Sequence, residues 1–295
     1  MSAPRPHLGT EGALILRWFT HNARSLPWRS LRGAGRPWGV MVSEFMLQQT
    51  PVDRVLPVWE QWWSRWPTPA ALAAEPAAQA VRAWGRLGYP RRALRLHGAA
   101  TVIASEHGGD VPDDLEVLRS LPGVGEYTAG AIVAFAFDRP ALALDTNVRR
   151  VFARHDHGLA NPGPALTSAE RAHAAQALPR RRGAAWMAAI MELGALICTA
   201  RTPSCELCPI APSCRWRARG YPAGEVTRRQ PRYEGSDRQA RGALLAVLRE
   251  APGAVTQRRL DLAWPDPVQR ARALDGLVSD GLVVPATRGR WSLPS

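Results

Sequence analysis

Four cysteines, Cys198, Cys205, Cys208 and Cys214, are the only ones in this chain of 295 residues, and they fall within 17 residues in the spacing C-x6-C-x2-C-x5-C. Thiolates gathered this closely point to a metal or cluster site rather than to a disulfide framework. Structural zinc sites of four cysteines usually contain two short C-x2-C pairs, and this loop contains one. A single C-x2-C with irregular flanking spacing suits a cubane [4Fe–4S] cluster, which takes one thiolate per iron, with zinc as the alternative that spacing leaves open. Pro209 and Pro212 stiffen the stretch between the last two ligands.

Two carboxylates and one glycine turn are the other groups whose setting could do chemistry. Glu44 lies in VMVSEFMLQQT among Met41, Val42, Phe45, Met46 and Leu47. A carboxylate in such a helix either reaches solvent at the helix edge or is held with a raised pKa for proton transfer. Asp145 opens LDTNVRR, where it is either the N-cap of the helix that follows or an anion placed for chemistry. Arg149 and Arg150 beside it read equally as a solvated face. Leu121-Pro122-Gly123-Val124-Gly125 sits between the apolar segments LEVLRS and TAGAIVAFAF. Its two glycines allow a tight turn that exposes successive backbone N–H groups at a helix N-terminus, an anion pocket suited to a DNA phosphate. The flanking segments favour a helix-hairpin-helix over a plain interhelical turn.

The elements that must position these groups read as a succession of helices over residues 9–219, as in ALILRWFTHNAR (13–24), VMVSEFMLQQT (40–50), VLPVWEQWWSRW (55–66) and AAWMAAIMELGALICT (184–199). Period-2 alternation is scarce before residue 280, so the main body is expected to be all-α. Residues 221–237 read as a polar Gly/Pro/Arg linker. Beyond it, RQARGALLAVLRE (238–250) and TQRRLDLAW (256–264) read as helices. Asp266-Pro267 supplies N-cap and N1 of a third helix running to about Asp280, and a hairpin turns near Arg288-Gly289. Three helices and a hairpin resemble a winged helix.

Apolar residues make up 46% of the chain, enough for a packed core, yet the apolar runs are too short to span a membrane. No charged-then-apolar leader pattern opens the chain, which implies the cytoplasm, in association with the nucleoid, a reducing setting that suits free thiolates. Net charge is +13, and all 38 basic residues are Arg. A GC-rich genome explains Arg in place of Lys but not the excess over acids, which points to a polyanion, most simply nucleic acid. The absence of Lys excludes Schiff-base chemistry, pyridoxal-phosphate enzymes and a Walker-A loop.

The ordered motifs LPWR (26–29), SEFMLQQT (43–50), LGY (87–89), LPGVGEYTAGA (121–131), LDTNVRRV (144–151) and MELGALIC (191–198), followed by the cysteine loop, closely resemble the helix-hairpin-helix DNA glycosylases that carry an iron–sulfur cluster. Within them the chain resembles the MutY-type adenine DNA glycosylases over roughly residues 10–220. The resemblance implies a two-lobed fold over residues 1–220, with a helical barrel lobe at 29–138 and an iron–sulfur lobe formed by 1–28 with 139–220, ahead of the linker at 221–237 and the winged-helix-like module at 238–295. It implies a [4Fe–4S] cluster on the four cysteines and a monomer acting on double-stranded DNA that carries adenine mispaired with 8-oxoguanine or guanine.

The resemblance also implies roles. Glu44 is the general acid that protonates adenine N7 and then helps activate water. Asp145 stabilises the oxocarbenium ion or bonds to it covalently, Asn147 orients that Asp, and Tyr127 supports the same site. Trp28, Arg29 and Glu192 line the adenine pocket. Gln49 and Tyr89 push into the duplex where the base has left, with Thr50 beside Gln49 among the substrate contacts. The backbone of Gly123, Val124 and Gly125 grips a phosphate. Breaking an N-glycosidic bond requires an acid on one side and an anion near the developing cation on the other. A Glu in apolar surroundings and an Asp at a polar helix start would have their pKa values pushed apart, as that division of labour needs. The related endonuclease-III-type enzymes carry a Lys nucleophile after GVG, whereas Tyr127 stands there in this chain. Many adenine glycosylases carry a Nudix-like domain after the cluster, whereas only the winged-helix-like unit follows here, and Pro90 stands where a second aromatic often follows Tyr89. The competing class is a non-enzymatic iron–sulfur, winged-helix DNA-binding redox regulator, which would need neither carboxylate.

Overall fold

Apolar residues at helical spacing become helices along nearly the whole chain. The computed structural model describes residues 7–224 and 232–295. The described residues divide into two compact units, the first within Met1–Met41, Asp113–Ser120 and Val124–Thr227, the second within Val42–Pro112, Leu121–Gly123 and Arg228–Ser295.

The first unit is built around the helix Gly183–Leu196, which is apolar on all sides and therefore buried, with Trp186, Met187, Ile190 and Leu193 fully excluded from water. Helices Gly12–Asn22, Glu126–Phe137 and Thr146–Phe152 pack against it. Each such buried side chain contributes about 1.5–3 kcal/mol by leaving water. The amide of Leu8 donates to Asp156 Oδ1 at 3.1 Å, which returns the start of the chain to the wider helical turn Ala153–His157.

The second unit gathers tryptophans. Trp59, Trp62, Trp66 and Trp84 are buried, and Trp62 meets Trp66 and Trp84 edge-on, with ring centroids 4.8 and 5.6 Å away. Pro57 lies inside the helix Val52–Arg65 and breaks one rung of its ladder, and the buried Trp59 and Trp62 that follow hold the segment helical.

The C-terminal module belongs to this second unit. Helices Asp237–Glu250, Gln257–Asp261 and Pro267–Ser279 are followed by the hairpin strands Val284–Ala286 and Arg290–Ser292. Asp266 caps the third helix through the amides of Val268 and Gln269. A short strand at Val255–Thr256, too brief to leave a periodic signal in sequence, pairs with the hairpin to give a three-stranded antiparallel sheet with Arg290–Ser292 in the centre. The hairpin turns through Arg288 and Gly289, both at positive φ. The module is fastened to the helix Ala77–Trp84: Ala78 N donates to Pro294 O at 2.9 Å, Arg82 Nη1 to Leu248 O at 3.1 Å, and Arg249 Nε to Val81 O at 3.0 Å. Of the expected linker, residues 225–231 lie outside the described residues.

Candidate active site and cluster loop

Glu44 stands on the helix Gly35–Leu47 and is 5% exposed, in a stretch where Met41, Val42, Phe45 and Met46 are also buried. Of its two sequence readings, the solvent-reaching edge position is ruled out. The helix ends at Leu47, earlier than the periodicity through 50 predicts, because Pro51 disfavours a helical Thr50 and opens the next helix. Gln49 is thereby placed in a loop at φ 55° and exposed, and Tyr89 at φ 47° is exposed in a second loop. A bulky residue in the left-handed region is costly and clusters at working sites.

One buried side chain, Arg92, fastens both loops. Its Nη1 donates to Phe45 O at 2.7 Å and Met46 O at 2.9 Å, and its Nη2 to Thr50 Oγ1 at 2.9 Å and Gly88 O at 3.1 Å. Trp84 Nε1 also donates to Gly88 O, and the Arg92 guanidinium lies 5.1 Å from the Trp84 ring centroid. Burial draws Arg92 down to about 10, still a cation at neutral pH. Thr50 is thus buried in this clamp, where its hydroxyl holds the loop that carries Gln49. In the same unit Gly123 takes φ 79°, and a Cβ there would lie 2.6 Å from Arg95 Cβ, so only glycine fits the hairpin.

The first unit holds the remaining residues. Asp145 is the N-cap of Thr146–Phe152: its Oδ1 accepts from Val148 N at 2.7 Å, and its Oδ2 from Asn147 Nδ2 at 2.8 Å. Asn147 Oδ1 in turn accepts from Arg150 Nη2 at 2.8 Å, while Arg150 Nε donates to the carbonyl of Cys198 at 2.7 Å. The cap reading is met, and the same bonds fix the orientation of the carboxylate. Burial pushes the Asp145 carboxyl up, against the opposing pull of Val148 N–H, Asn147 and Arg150. A polar helix start alone would hold this carboxyl down; its burial reverses that direction, and the fixed donors only oppose the rise. Close approach of the neighbouring helix seats the loop, since a Cβ on Gly130 would fall 1.9 Å from Leu142 O. Gly125, at extended φ, is the residue before the helix Glu126–Phe137. Val124 is buried, and Tyr127, on the first turn, packs half-buried against the core.

Arg29 and Glu192 come together, with Arg24 as a partner the sequence did not reveal, and Trp28 is buried beside Arg29 on the short helix Pro27–Ser30. Glu192 is fully buried, with Oε1 accepting from Arg24 N and Nε at 2.8 and 2.9 Å, and Oε2 from Arg24 Nη2 and Arg29 Nη2 at 2.8 and 2.9 Å. Burial alone would raise this carboxyl, yet the two guanidiniums hold it down to about 2. Removing one member of such a buried set costs about 3–5 kcal/mol.

Cys198, Cys205, Cys208 and Cys214 surround one small pocket with Arg154, Ile197, Ala211, Trp216 and Arg217. Among the described residues no three His, Cys, Asp or Glu side chains are arranged to hold a single ion. Thiols spread around a cavity match a cluster, which presents a separate iron to each donor, better than one tetrahedral zinc. Arg154 Nη1 donates to Cys198 Sγ at 3.4 Å and to Thr199 O at 2.7 Å, and its guanidinium stacks 4.4 Å from the Trp216 ring. Burial pushes the Cys208 thiol up to about 12 and raises Cys205 and Cys214, so ligation must displace protons that burial retains. The purified protein is expected to be brown and to contain about four iron atoms per chain, one for each thiolate. Metal analysis giving stoichiometric zinc without iron would contradict that set.

Residues 42–176 match the model of the HhH-GPD superfamily base excision DNA repair proteins, and residues 198–214 match the iron-sulfur binding domain of endonuclease III. The chain is 52% identical to an adenine DNA glycosylase of Mycolicibacterium smegmatis, over 95% of this chain and 94% of that protein. It is 40% identical to an adenine DNA glycosylase of Homo sapiens over 70% of this chain, although it spans 39% of that longer protein. A thermostable thymine-DNA glycosylase structure superposes with a TM-score of 0.63 at 25% identity, over 72% of this chain and 97% of that one.

Proposed function

The chain belongs to the adenine DNA glycosylases of the HhH-GPD superfamily of base excision DNA repair proteins, and from that membership we propose how its own residues remove the base and which adenines it removes. It is a hydrolase of N-glycosyl bonds that acts on DNA and carries a [4Fe–4S] cluster. Its preferred substrate is adenine opposite 8-oxoguanine or guanine in duplex DNA.

The observation that carries the mechanism is a pair of carboxylates in different settings, Glu44 buried and Asp145 half-buried. Glu44 lies on an apolar helix, and Asp145 is locked at a helix cap by Val148 N–H and Asn147. Glu44 donates a proton to adenine N7 as the N-glycosidic bond lengthens, so the base leaves neutral. Asp145 faces the positive charge that develops on the sugar, and its fixed geometry requires no reorganisation as that charge appears. Water then adds at the anomeric carbon, with Glu44, now a carboxylate, accepting its proton. The extrahelical base is received by Trp28, Arg29 and Glu192, while Gln49 and Tyr89 enter the space it vacates. The backbone of Gly123, Val124 and Gly125 holds a phosphate during that exchange. The cluster, when bound, anchors the loop 198–214.

The test is base release from A:8-oxoG, A:G, A:C and A:T duplexes, read as strand breaks after alkali. Release from A:8-oxoG and A:G with A:T untouched is expected, and equal release from A:T would remove the mispair reading. Product strands should stay intact until alkali is added, because a Lys-free chain has no side-chain amine for the Schiff base that drives strand cleavage. Borohydride trapping of an enzyme–DNA imine in high yield would refute that expectation.

A further inference from the structure

We propose that the wing end of the C-terminal module is a second DNA-phosphate grip, which holds the duplex without reading its sequence. The proposal rests on the DNA-acting role above but assigns a surface to which that role gives no part.

Residues 238–295 carry nine arginines against five acids, and eight of the nine divide into those engaged with a partner group and those free of ion pairs. Arg241 is bound to Asp280, Arg270 Nε to Asp261 at 2.9 Å, and Arg272 Nη2 to Asp237 at 2.7 Å. Arg249 is half-buried and donates to the carbonyl of Val81. Arg258, Arg259, Arg288 and Arg290 are exposed, and among the described residues none of them has an ion-pair partner. These four lie together. Arg290 pairs across the sheet with Thr256, so the helix that starts at Gln257 and carries Arg258 and Arg259, and the turn that carries Arg288, leave the ladder at the same end. Trp291 Nε1 donates to Gln257 Oε1 at 2.7 Å and ties the short helix that carries Arg258 and Arg259 to the central strand. Asp261, on the same short helix, is already paired with Arg270.

The turn itself points the same way. Arg288 sits at φ 60°, a conformation that favours Gly, Asn or Asp, so a cation is kept at the hairpin tip at a cost in backbone energy. The module is also held still: its hydrogen bonds to the helix Ala77–Trp84, together with Arg91 Nη1 bonded to Asp280 Oδ1 at 3.1 Å, fasten it to the unit that carries Glu44, Gln49 and Tyr89.

The remaining question is whether the module reads sequence. In a helix-turn-helix protein the recognition helix presents base-reading side chains to the major groove. The corresponding helix here, Pro267–Ser279, exposes Val268, Ala271, Asp275 and Val278, and its exposed Arg272 is paired with Asp237. Asp275 repels phosphate, and no free cation or amide is exposed on that helix to read a base edge. The free charge lies on the wing, which suits contact with phosphates at any sequence, as an enzyme that meets mispairs in every context requires.

The experiment compares full-length wild type with a variant carrying R258A, R259A, R288A and R290A, and with R272A as a control for a paired cation. Affinity for an A:8-oxoG duplex is measured over a salt series, and base release in single turnovers at saturating enzyme. The quadruple variant should bind about tenfold or more weakly, and its log–log salt slope should be shallower by about 0.9 per phosphate lost. R272A should match wild type, and single-turnover release should stay within about twofold for both. A charge-reversed R288E/R290E variant should weaken binding further; since these side chains are exposed, thermal melts confirm that both variants are folded. Affinity and slope equal to wild type in the folded variants would overturn the proposal and leave the patch to an acidic protein partner. Failure of wild type to release adenine would count against the mispair reading instead, because binding is measured separately from chemistry.

Discussion

Glu44→Gln is expected to bind mispaired duplex with affinity within about threefold of wild type and to release base several powers of ten more slowly. A positioned general acid typically contributes about 10²–10⁴-fold, and Glu44 is proposed to act twice, first as acid toward the base and then as base toward water. Gln keeps the shape and hydrogen-bonding reach of Glu but cannot give up a proton at neutral pH. Because Glu44 is 5% exposed in a stretch where Met41, Val42, Phe45 and Met46 are buried, bulk water cannot take over its role. The neutral amide also leaves no uncompensated charge in that apolar setting, so folding should survive the exchange. Single-turnover rates with excess enzyme separate chemistry from product release. A Glu44→Gln rate within tenfold of wild type would remove Glu44 from the mechanism.

The second large effect concerns Asp145. Asn is as good an N-cap as Asp, so Asp145→Asn preserves the bond from Val148 N that starts the helix Thr146–Phe152. What it removes is the negative charge. Loss of one preorganised electrostatic partner of a developing charge costs about 10²–10³-fold, and more if Asp145 bonds to the sugar. The variant should therefore melt near wild type and be at least that much slower. The acid side of the pH–rate profile checks the same residue. Burial already raises the Asp145 carboxyl, and Asn147 opposes that rise by donating to the ionised form. Only the carboxylate can face a cation, so activity falls as pH drops through this pKa. Asn147→Ala removes a donor to the charged form, raises the pKa further and should move the acid limb to higher pH. An unchanged limb in Asn147→Ala, or a rate near wild type in Asp145→Asn, would show that the charge at this cap is not used.

Much of the body was legible because its signals are local. The helix Gly183–Leu196 follows from a stretch that is apolar except for Glu192, the hairpin turn from LPGVG, and the third C-terminal helix from Asp266-Pro267. Boundaries were less legible where a neighbour decided them. The helix carrying Glu44 stops at Leu47 because of what Thr50-Pro51 must do next, and the strand Val255–Thr256 exists because the hairpin at Val284–Ser292 supplies its ladder partner.

What the sequence determined by itself is the chemistry available. Four cysteines in one loop determine a thiolate cluster site, the absence of Lys removes imine chemistry, and the ordered motifs around Glu44 and Asp145 determine the family. These facts depend on residue identity and short spacing, which folding does not alter. The tertiary structure alone decided which of the 38 arginines matter and how. Arg24 meets Glu192 across 168 positions, Arg92 joins the loops of Gln49 and Tyr89, Arg150 links the Cys198 carbonyl to Asn147, and four others, on the wing and the short helix Gln257–Asp261, have no ion-pair partner among the described residues. A guanidinium has the same local sequence signature whether it is solvated or buried. Its role is set by which carbonyls and carboxylates the fold brings into hydrogen-bond reach, and partners such as Glu192 for Arg24, Phe45 for Arg92 and Cys198 for Arg150 lie too far along the chain for any spacing to reveal.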